Sequence, residues 1–554
     1  MNTPLSPAAV TDIDAATLRT WLGDRQEIAL VDVRDGGPFA RSHLLVASNL
    51  PLARLEVMAP ALLPRRSVRA VLVDDDGALD GPAWQAGRLL HRHGYSGVHV
   101  LTGGVQAWGQ AGYELFSGTN VPSKAFGEQV EHHFDTPRIE PETLRQWQQD
   151  GRALVLVDSR PLEEYRTVSL PGAADCPGAE LVLRVPELAA RPDTVVVVNC
   201  AGRTRSIIGC QSLRNAGLTN PVYALKNGTM GWQLAGFDPE KGRDNLAPEP
   251  KADGLAQARQ MAAEVAHRYG VPFIDEARLH QMQLDTVRTT YVFDVRLPED
   301  FAAGHRPGTL NAPGGQLVQA TDTFAAVRHA RLVLVDRHQV QAVMTAHWLL
   351  QMGWDEVYVL SGGLSGELHT GPARPQPLGL QDLSAPLLPP AELQRRMAAG
   401  DCAVIDVGES YWWRAARVPG SFYAMRSRLA QALTAFEPER PLVFNCADGR
   451  VSRFAAQDAL ALGHADAAVL DGGRAAWRAA GLPTEVCPGD HDPLLLTATD
   501  DMWYPPYARR TGLTEAMQQY LTWEVNLLEQ LAREPYLQFR IGPQAAASGQ
   551  ATTA

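Results

Sequence analysis

The chain is short of cysteine, short of aromatic residues and free of long apolar runs, and each shortage removes a class of protein. Only six cysteines occur in 554 residues. Cys176, Cys200, Cys210, Cys402, Cys446 and Cys487 are scattered, with no Cys-x-x-Cys pair. A disulfide framework and a zinc site are both poorly supported, and no metal is expected. No apolar stretch approaches the roughly 20 residues that a membrane helix needs, so no membrane partner is expected. Met1 to Val10 lacks a basic segment followed by an apolar core and does not read as a signal peptide. A reducing cytoplasm is the expected setting. Basic residues are outnumbered, 50 against 62 acidic ones, for a net charge of −12. That balance argues against a nucleic-acid partner but permits a local basic pocket.

What the chain does have is repetition. Its length suggests several domains, and three signals recur in fixed order. The first is an apolar strand ending in aspartate: Leu30 to Arg34, Leu156 to Arg160, Val292 to Arg296 and Val404 to Gly408. The second is another apolar strand: Ala70 to Val73, Val195 to Val198, Leu332 to Val335 and Leu442 to Phe444. The third is a strand-turn-helix start centred on Gly103-Gly104, Asn227-Gly228, Gly362-Gly363 and Gly472-Gly473, followed in three cases by Trp108, Trp232 or Trp477. The set repeats about every 110 to 135 residues, the size of a compact domain. Helical patterns lie between the strands, so each unit is expected to be α/β with a parallel sheet flanked by helices. Pro239 to Gly254, rich in proline, glycine and charge, is the best linker candidate. Leu255 to His267 reads as a helix opening the third unit. Thr514 to Ala532 has apolar residues at helical spacing and reads as a terminal helix packed on the body, with a homodimer contact as the alternative. Ala545 to Ala554 is expected to be disordered.

The most informative stretch is Val195 to Ser206. A run of four valines has no helical period and reads as a strand buried on both faces. It ends at Cys200 and leads through Ala201-Gly202-Arg203-Thr204-Arg205 to a helix start at Ser206. A strand's carboxyl end before a helix amino terminus is where open α/β sheets place ligands. Backbone N–H groups there lack intrahelical partners and form a nest for negative charge. Such a field favours a thiolate, and Arg203 and Arg205 add positive charge. Cys200 is therefore expected to be an ionised nucleophile in an anion cradle. Cys446-Ala447-Asp448-Gly449-Arg450-Val451-Ser452 has the same cysteine-to-serine spacing and is a second candidate, weakened by the carboxylate of Asp448. Cys210 reads as core. Cys176 reads as a loop residue, with a resolving thiol as the alternative.

Each unit resembles a rhodanese domain. The resemblance rests on the Asp-x-Arg strand end, a Pro-Gly turn (Pro171-Gly172, Pro307-Gly308, Pro419-Gly420), the strand-cysteine loop and the Gly-Gly-x-x-x-Trp segment. It implies four tandem rhodanese-like domains at 1–118, 119–245, 255–370 and 378–487, with a helical extension and tail at 488–554. It further implies a sulfurtransferase that needs no cofactor. Its partners would be a small-molecule sulfur donor, thiosulfate or 3-mercaptopyruvate, and a thiol or cyanide acceptor, with a cysteine persulfide as intermediate. Carried over residue by residue, Cys200 matches the nucleophile, Ala201 to Arg205 the cradle and Ser206 the helix start. Arg160 matches an arginine that helps hold the donor. Cys446 matches the nucleophile in the fourth unit, where Gly408 replaces that arginine. Aligning strand ends puts Asp75 and Arg337 at the cysteine position of units one and three, which are expected to be inactive. By resemblance to two-domain rhodaneses, unit one should wall the cleft beside Cys200 and unit three that beside Cys446. Two other readings stay open: a non-enzymatic scaffold or sulfur sensor, and a phosphatase or arsenate reductase, against which the Cys-x4-Arg spacing speaks.

Overall fold

The computed structural model describes residues 10–543 apart from 490, 507, 508 and 510. Residues 1–9 and the tail Ala545 to Ala554, read as signal-free and disordered, lie outside the described residues. Each repeat folds around five parallel strands. In repeat 2 their order across the sheet is Arg138–Ile139, Val222–Leu225, Val195–Asn199, Leu154–Asp158 and Ala174–Asp175. Counted along the chain this is 1-5-4-2-3, and repeats 1, 3 and 4 keep the same order. The valine run is the middle strand and is wholly buried. Helices cover both faces, which removes any need for alternation and explains the unbroken apolar run. The expected α/β body plan of four parallel sheets with a terminal helix, Leu513–Leu531, is what the chain adopts.

The repeats associate in an order that differs from the expectation. Two compact bodies form: residues 10–18, 29–119 and 375–504 in one, and 19–28, 120–374 and 505–543 in the other. Repeat 1 thus pairs with repeat 4, and repeat 2 with repeat 3 plus the C-terminal helix. The segment after the short edge strand explains the choice. In repeat 2 it holds Gly178-Ala179, and in repeat 3 Gly314-Gly315. A Cβ on Gly315 would stand 2.8 Å from the Gly178 nitrogen, and one on Gly314 2.8 Å from the Ala179 Cβ, so the glycines permit backbone contact. Trp348 of repeat 3 also donates from Nε1 to Ser212 Oγ at 2.8 Å. In the other body the same segments are polar. Arg426 binds both carboxylate oxygens of Glu56 at 2.9 Å, Ser427 donates to Asp35 at 2.6 Å and Arg54 reaches Glu409 at 2.7 Å. Glycine faces glycine in one pair and charge faces charge in the other, so exchanging partners would bury unmatched groups.

The stretch expected to be a free linker is strapped to repeat 2. Ser169 and Glu240 exchange two backbone hydrogen bonds of 2.8 Å, Ala247 N–H donates to Asp175 O at 2.8 Å, and the buried Arg184 binds Ala247 O and Glu249. The helix Ala252–Tyr269 then leads into repeat 3.

Every repeat buries the aspartate at the end of its second strand, with a cation beside it. Asp32, Asp158 and Asp294 pair with Arg34, Arg160 and Arg296 two residues on. Repeat 4 has Gly408 at that place, and Arg474, from the Gly-Gly turn, reaches Asp406 Oδ2 at 2.8 Å instead. A Cβ on Gly408 would lie 3.4 Å from the Arg474 guanidinium. The missing arginine is therefore a change of partner, not a lost charge. Arg474→Ala is expected to cost about 3–5 kcal/mol, the usual penalty for stripping a buried carboxylate of its counter-ion, measured as a fall in the urea midpoint. Adding Gly408→Arg to that variant should recover most of the loss; no recovery would show that the unpaired charge is not its cause.

Candidate active site

In the 1-5-4-2-3 order the chain reverses direction across the sheet between Leu154–Asp158 and Val195–Asn199, so their carboxyl ends form the switch point of the sheet. Cys200 stands there and is 2% exposed. The preceding Asn199 donates to Asp158 Oδ2 at 2.8 Å and to Thr229 Oγ1 at 3.0 Å, and Thr229 donates to Cys200 O at 3.1 Å. Gly228, at φ +54°, lies so close beneath the loop that a Cβ would come within 2.3 Å of Cys200 O. The Gly-Gly turn is thus the floor on which the cysteine loop rests. The Cys200 thiol faces Ser206 Oγ at 3.4 Å, and Ser206 Oγ donates to Arg203 O at 2.8 Å.

The cysteine-free repeats identify what this loop does. The bond from the second strand to the middle strand fixes the register: Ser159 N–H binds Asn199 O, Val407 binds Asn445 O, Val33 binds Val73 O and Val295 binds Val335 O. The residues equivalent to Cys200 and Cys446 are therefore Asp74 and Asp336, one position before the Asp75 and Arg337 expected from strand-end alignment. Asp74 accepts from the amides of Gly77 at 2.6 Å and Ala83 at 2.9 Å. Asp336 accepts from Gln339 at 2.7 Å and Ala342 at 3.2 Å. Amides of Gln339, Val340, Gln341 and Ala342 all favour its carboxylate, although burial still pushes the acid up to about 6. Counted from the strand end, these four correspond to Arg203, Thr204, Arg205 and Ser206. The loop is an anion cradle, and the two cysteine-free repeats carry a built-in anion inside it.

The arginines sit differently from the expectation. Arg160 is fully buried, paired with Asp158 and donating to Val168 O, so it holds the strand end, while its Nη1 has no hydrogen-bond partner. Arg203 binds both carboxylate oxygens of Glu128 through Nε and Nη2 at 2.6 Å and also Glu131. Arg205 grips Glu164 at 2.7 and 2.8 Å and Gln316 of repeat 3 at 3.2 Å. The expected thiolate is also corrected. Burial pushes the Cys200 thiol up, and Arg205 and the Ser206 hydrogen bonds reverse only part of that rise.

Burial has a source the sequence did not disclose. The helix Leu513–Leu531 lies over the loop, packing Met517 and Leu521 on Ala201 and Met230. Met517 and Leu521 of the face read as a possible dimer contact are thus buried within the chain, while Val525 of that face is 48% exposed. Thr204 Oγ1 donates to Glu524 at 2.8 Å. Glu524 is 1% exposed, its Oε2 carries no hydrogen bond, and its charge further disfavours the Cys200 thiolate.

In repeat 4, Cys446 is 2% exposed with Sγ 3.4 Å from Ser452 Oγ and 3.9 Å from Asp448 Oδ1. Asp448 Oδ1 also accepts from the Arg450 amide at 3.2 Å, taking for itself a cradle donor, and Arg450 binds Pro375 O. Gly449 supplies the positive φ, +81°, before the helix of Arg450, Val451 and Ser452. Ala447 accepts the Ala475 amide as Ala201 accepts that of Met230. All six cysteines are free and buried. Burial pushes Cys210 up to about 12 and Cys176 well above its ordinary value.

Comparison with known proteins agrees with this geometry. A family model described as Rhodanese-like domain matches four times, over residues 14–111, 140–235, 275–367 and 389–480. The chain belongs to the rhodanese family. A solved structure of a thiosulfate sulfurtransferase from Pseudomonas aeruginosa is 44% identical, with a TM-score of 0.87, and the match covers 96% of this chain and 100% of that one. A sulfurtransferase of Allochromatium vinosum is 30% identical over 106 residues, 19% of this chain and 94% of that protein. An HTH-type transcriptional regulator of Mycobacterium tuberculosis is 36% identical over 89 residues, 16% of this chain, and the chain spans only 38% of that regulator.

Within this rhodanese, sequence reading missed Asn199, Asn445, Thr229, Arg474 and Glu524. The asparagines were detectable: only where cysteine follows does the middle strand end in asparagine, against Val73 and Val335 elsewhere. Glu524 was not, because nothing in a helix 320 residues away marks its landing site. Glu524→Gln keeps an acceptor for Thr204 and removes the buried charge. It should move the pH dependence of Cys200 alkylation to lower pH, read from iodoacetamide labelling rates; an unmoved profile would show that Glu524 is neutral or electrostatically remote.

Proposed function

We propose that this chain is a sulfurtransferase that carries sulfane sulfur on Cys200. The observation that supports it most directly is the cradle: the place held by a carboxylate in repeats 1 and 3 is held by sulfur in repeats 2 and 4. In the proposed cycle Cys200 gives up its proton to solvent, and the thiolate so formed attacks the outer sulfur of thiosulfate. The S–S bond of the donor breaks and sulfite leaves with the electron pair. The terminal sulfur of the persulfide is then an anion that can take hydrogen bonds from the loop amides, as the Asp336 carboxylate does. An acceptor thiolate or cyanide attacks that sulfur, and Cys200 leaves as thiolate. 3-Mercaptopyruvate would serve as an alternative donor, leaving as pyruvate after proton uptake. The sulfurtransferase names of the Pseudomonas and Allochromatium relatives support the same reading. Oxyanion chemistry of the phosphatase kind is less well supported, since Arg205 is turned to Glu164 and Gln316.

Cys446 is the lesser site in this reading, because Asp448 competes for the loop amides and sets a negative charge beside the sulfur. Cys200→Ser should remove most thiosulfate:cyanide transfer, and Cys446→Ser a minor part. Mass spectrometry after thiosulfate treatment should find one added sulfur on the Cys200 peptide. Full activity in Cys200→Ser, or a larger loss in Cys446→Ser, would overturn the assignment.

A further inference from the structure

A cavity of about 490 Å³ lies in the second body where repeat 2 meets repeat 3, and nothing in the sulfur chemistry uses it. Its walls are in part apolar, with Leu162, Pro177, Leu246 and Pro313 among them. At its lining stands Asp175, which is 0% exposed, and neither carboxylate oxygen has a hydrogen-bond partner. Leaving a buried carboxylate unpartnered is costly, so such a group points to a missing partner.

Comparison of the repeats shows that the acid is not a demand of the fold. Asp175 is in register with Asp158, as Asn49 is with Asp32 and Asn311 with Asp294. Asn49 donates through its side-chain amide to Asp32 O and Arg34 O at 3.2 and 2.8 Å, and Asn311 does the same to Asp294 O and Arg296 O at 3.2 and 3.0 Å. Repeat 2 gives up both of these bonds to place a carboxyl there. The cations of the wall are already engaged: Arg166 with Asp244, and Arg184 with Glu180 and Glu249. Glu163, Glu299 and Asp300 add further negative charge at the lining.

The geometry points to a binding site for an organic ammonium ion, with the charged nitrogen on Asp175 and an alkyl body against the proline and leucine walls. A primary ammonium supplies the donors that Asp175 lacks, and the acidic surround selects a cation over the anions that the Cys200 cradle would hold. The site stands independently of any role for Cys200.

Isothermal titration of the full chain with 1,5-diaminopentane tests it, with pentane-1,5-diol as the uncharged comparator. The diamine should bind and the diol should not. Asp175→Asn restores the residue that repeats 1 and 3 use in the same place, so it should fold, and it should weaken diamine binding at least fivefold. Burial pushes Asp175 up to about 8, with Asp158 raising it further and Arg160, Arg184 and Arg166 opposing. Near pH 7 the acid therefore holds a proton that an arriving ammonium must displace. The binding enthalpy should then differ between phosphate and HEPES buffers, and affinity should rise from pH 6 to 8. No binding, equal binding of the diol, less than a fivefold loss in Asp175→Asn, or binding without proton release would each overturn the proposal.

Discussion

Peptide N–H groups at the start of a helix have no acceptor within that helix, and in repeats 1 and 3 such groups, together with a loop amide, converge on the aspartate that follows the middle strand. This unmet demand for negative charge is the constraint from which the rest follows. Repeats 1 and 3 satisfy it with Asp74 and Asp336, fixed by the chain itself. Repeats 2 and 4 place a thiol there and so leave the demand open to whatever charge the sulfur acquires. The second residue of the turn beneath the loop, Gly228 pressed on Cys200 O and Gly473 on Cys446 O, Gly104 on Asp74 O and Gly363 on Asp336 O, keeps the ring closed in both kinds of repeat. A cysteine-free repeat is therefore the same device with its anion supplied covalently.

The nested pairing gives the cysteine-free repeats a structural purpose. Repeat 3 brings Gln316 to Arg205 and Trp348 to Ser212, so it steadies the loop and helix that carry Cys200. Repeat 1 stands against repeat 4 through Arg426 and Glu56 in the equivalent place. Both pairs use the segment after the edge strand, yet with incompatible chemistry, glycine in one and ion pairs in the other. Adjacency in sequence does not decide which repeats meet; a few residues in that one segment do.

Much of the architecture could be read from the sequence because it rests on local pattern. The valine run, the strand-end aspartates and the Gly-Gly-x-x-x-Trp segments recur with enough regularity to define four sheets and both cysteine loops. Features set by contacts distant in sequence were hidden. Arg474 looked unremarkable until it met Asp406 across 68 residues, and Gly408 looked like a lost function. Apolar runs alone leave the register of the cysteine-free repeats open by one residue, and the ladder bonds of Val33 and Val295 fix it at Asp74 and Asp336. The position of Arg160 suggests a substrate role, and the structure adds a structural one, the pairing with the buried Asp158.

In the proposed cycle the cradle would have to stabilise two different anions, the Cys200 thiolate and the persulfide. Asp336 receives four amides and is still pushed up to about 6 by burial. An aspartic acid is intrinsically far more acidic than a thiol, so a cradle that only partly overcomes burial for the carboxylate will not ionise Cys200 unaided, and the thiol is indeed raised. A persulfide is a stronger acid than its parent thiol and extends its charge one atom further toward the amides. In the proposed cycle the loop would therefore be better matched to holding the transferred sulfur than to activating the cysteine that receives it. Covering that loop with the C-terminal helix and Glu524 accentuates the difference, since it raises the cost of a bare thiolate while excluding water from the sulfur it would protect.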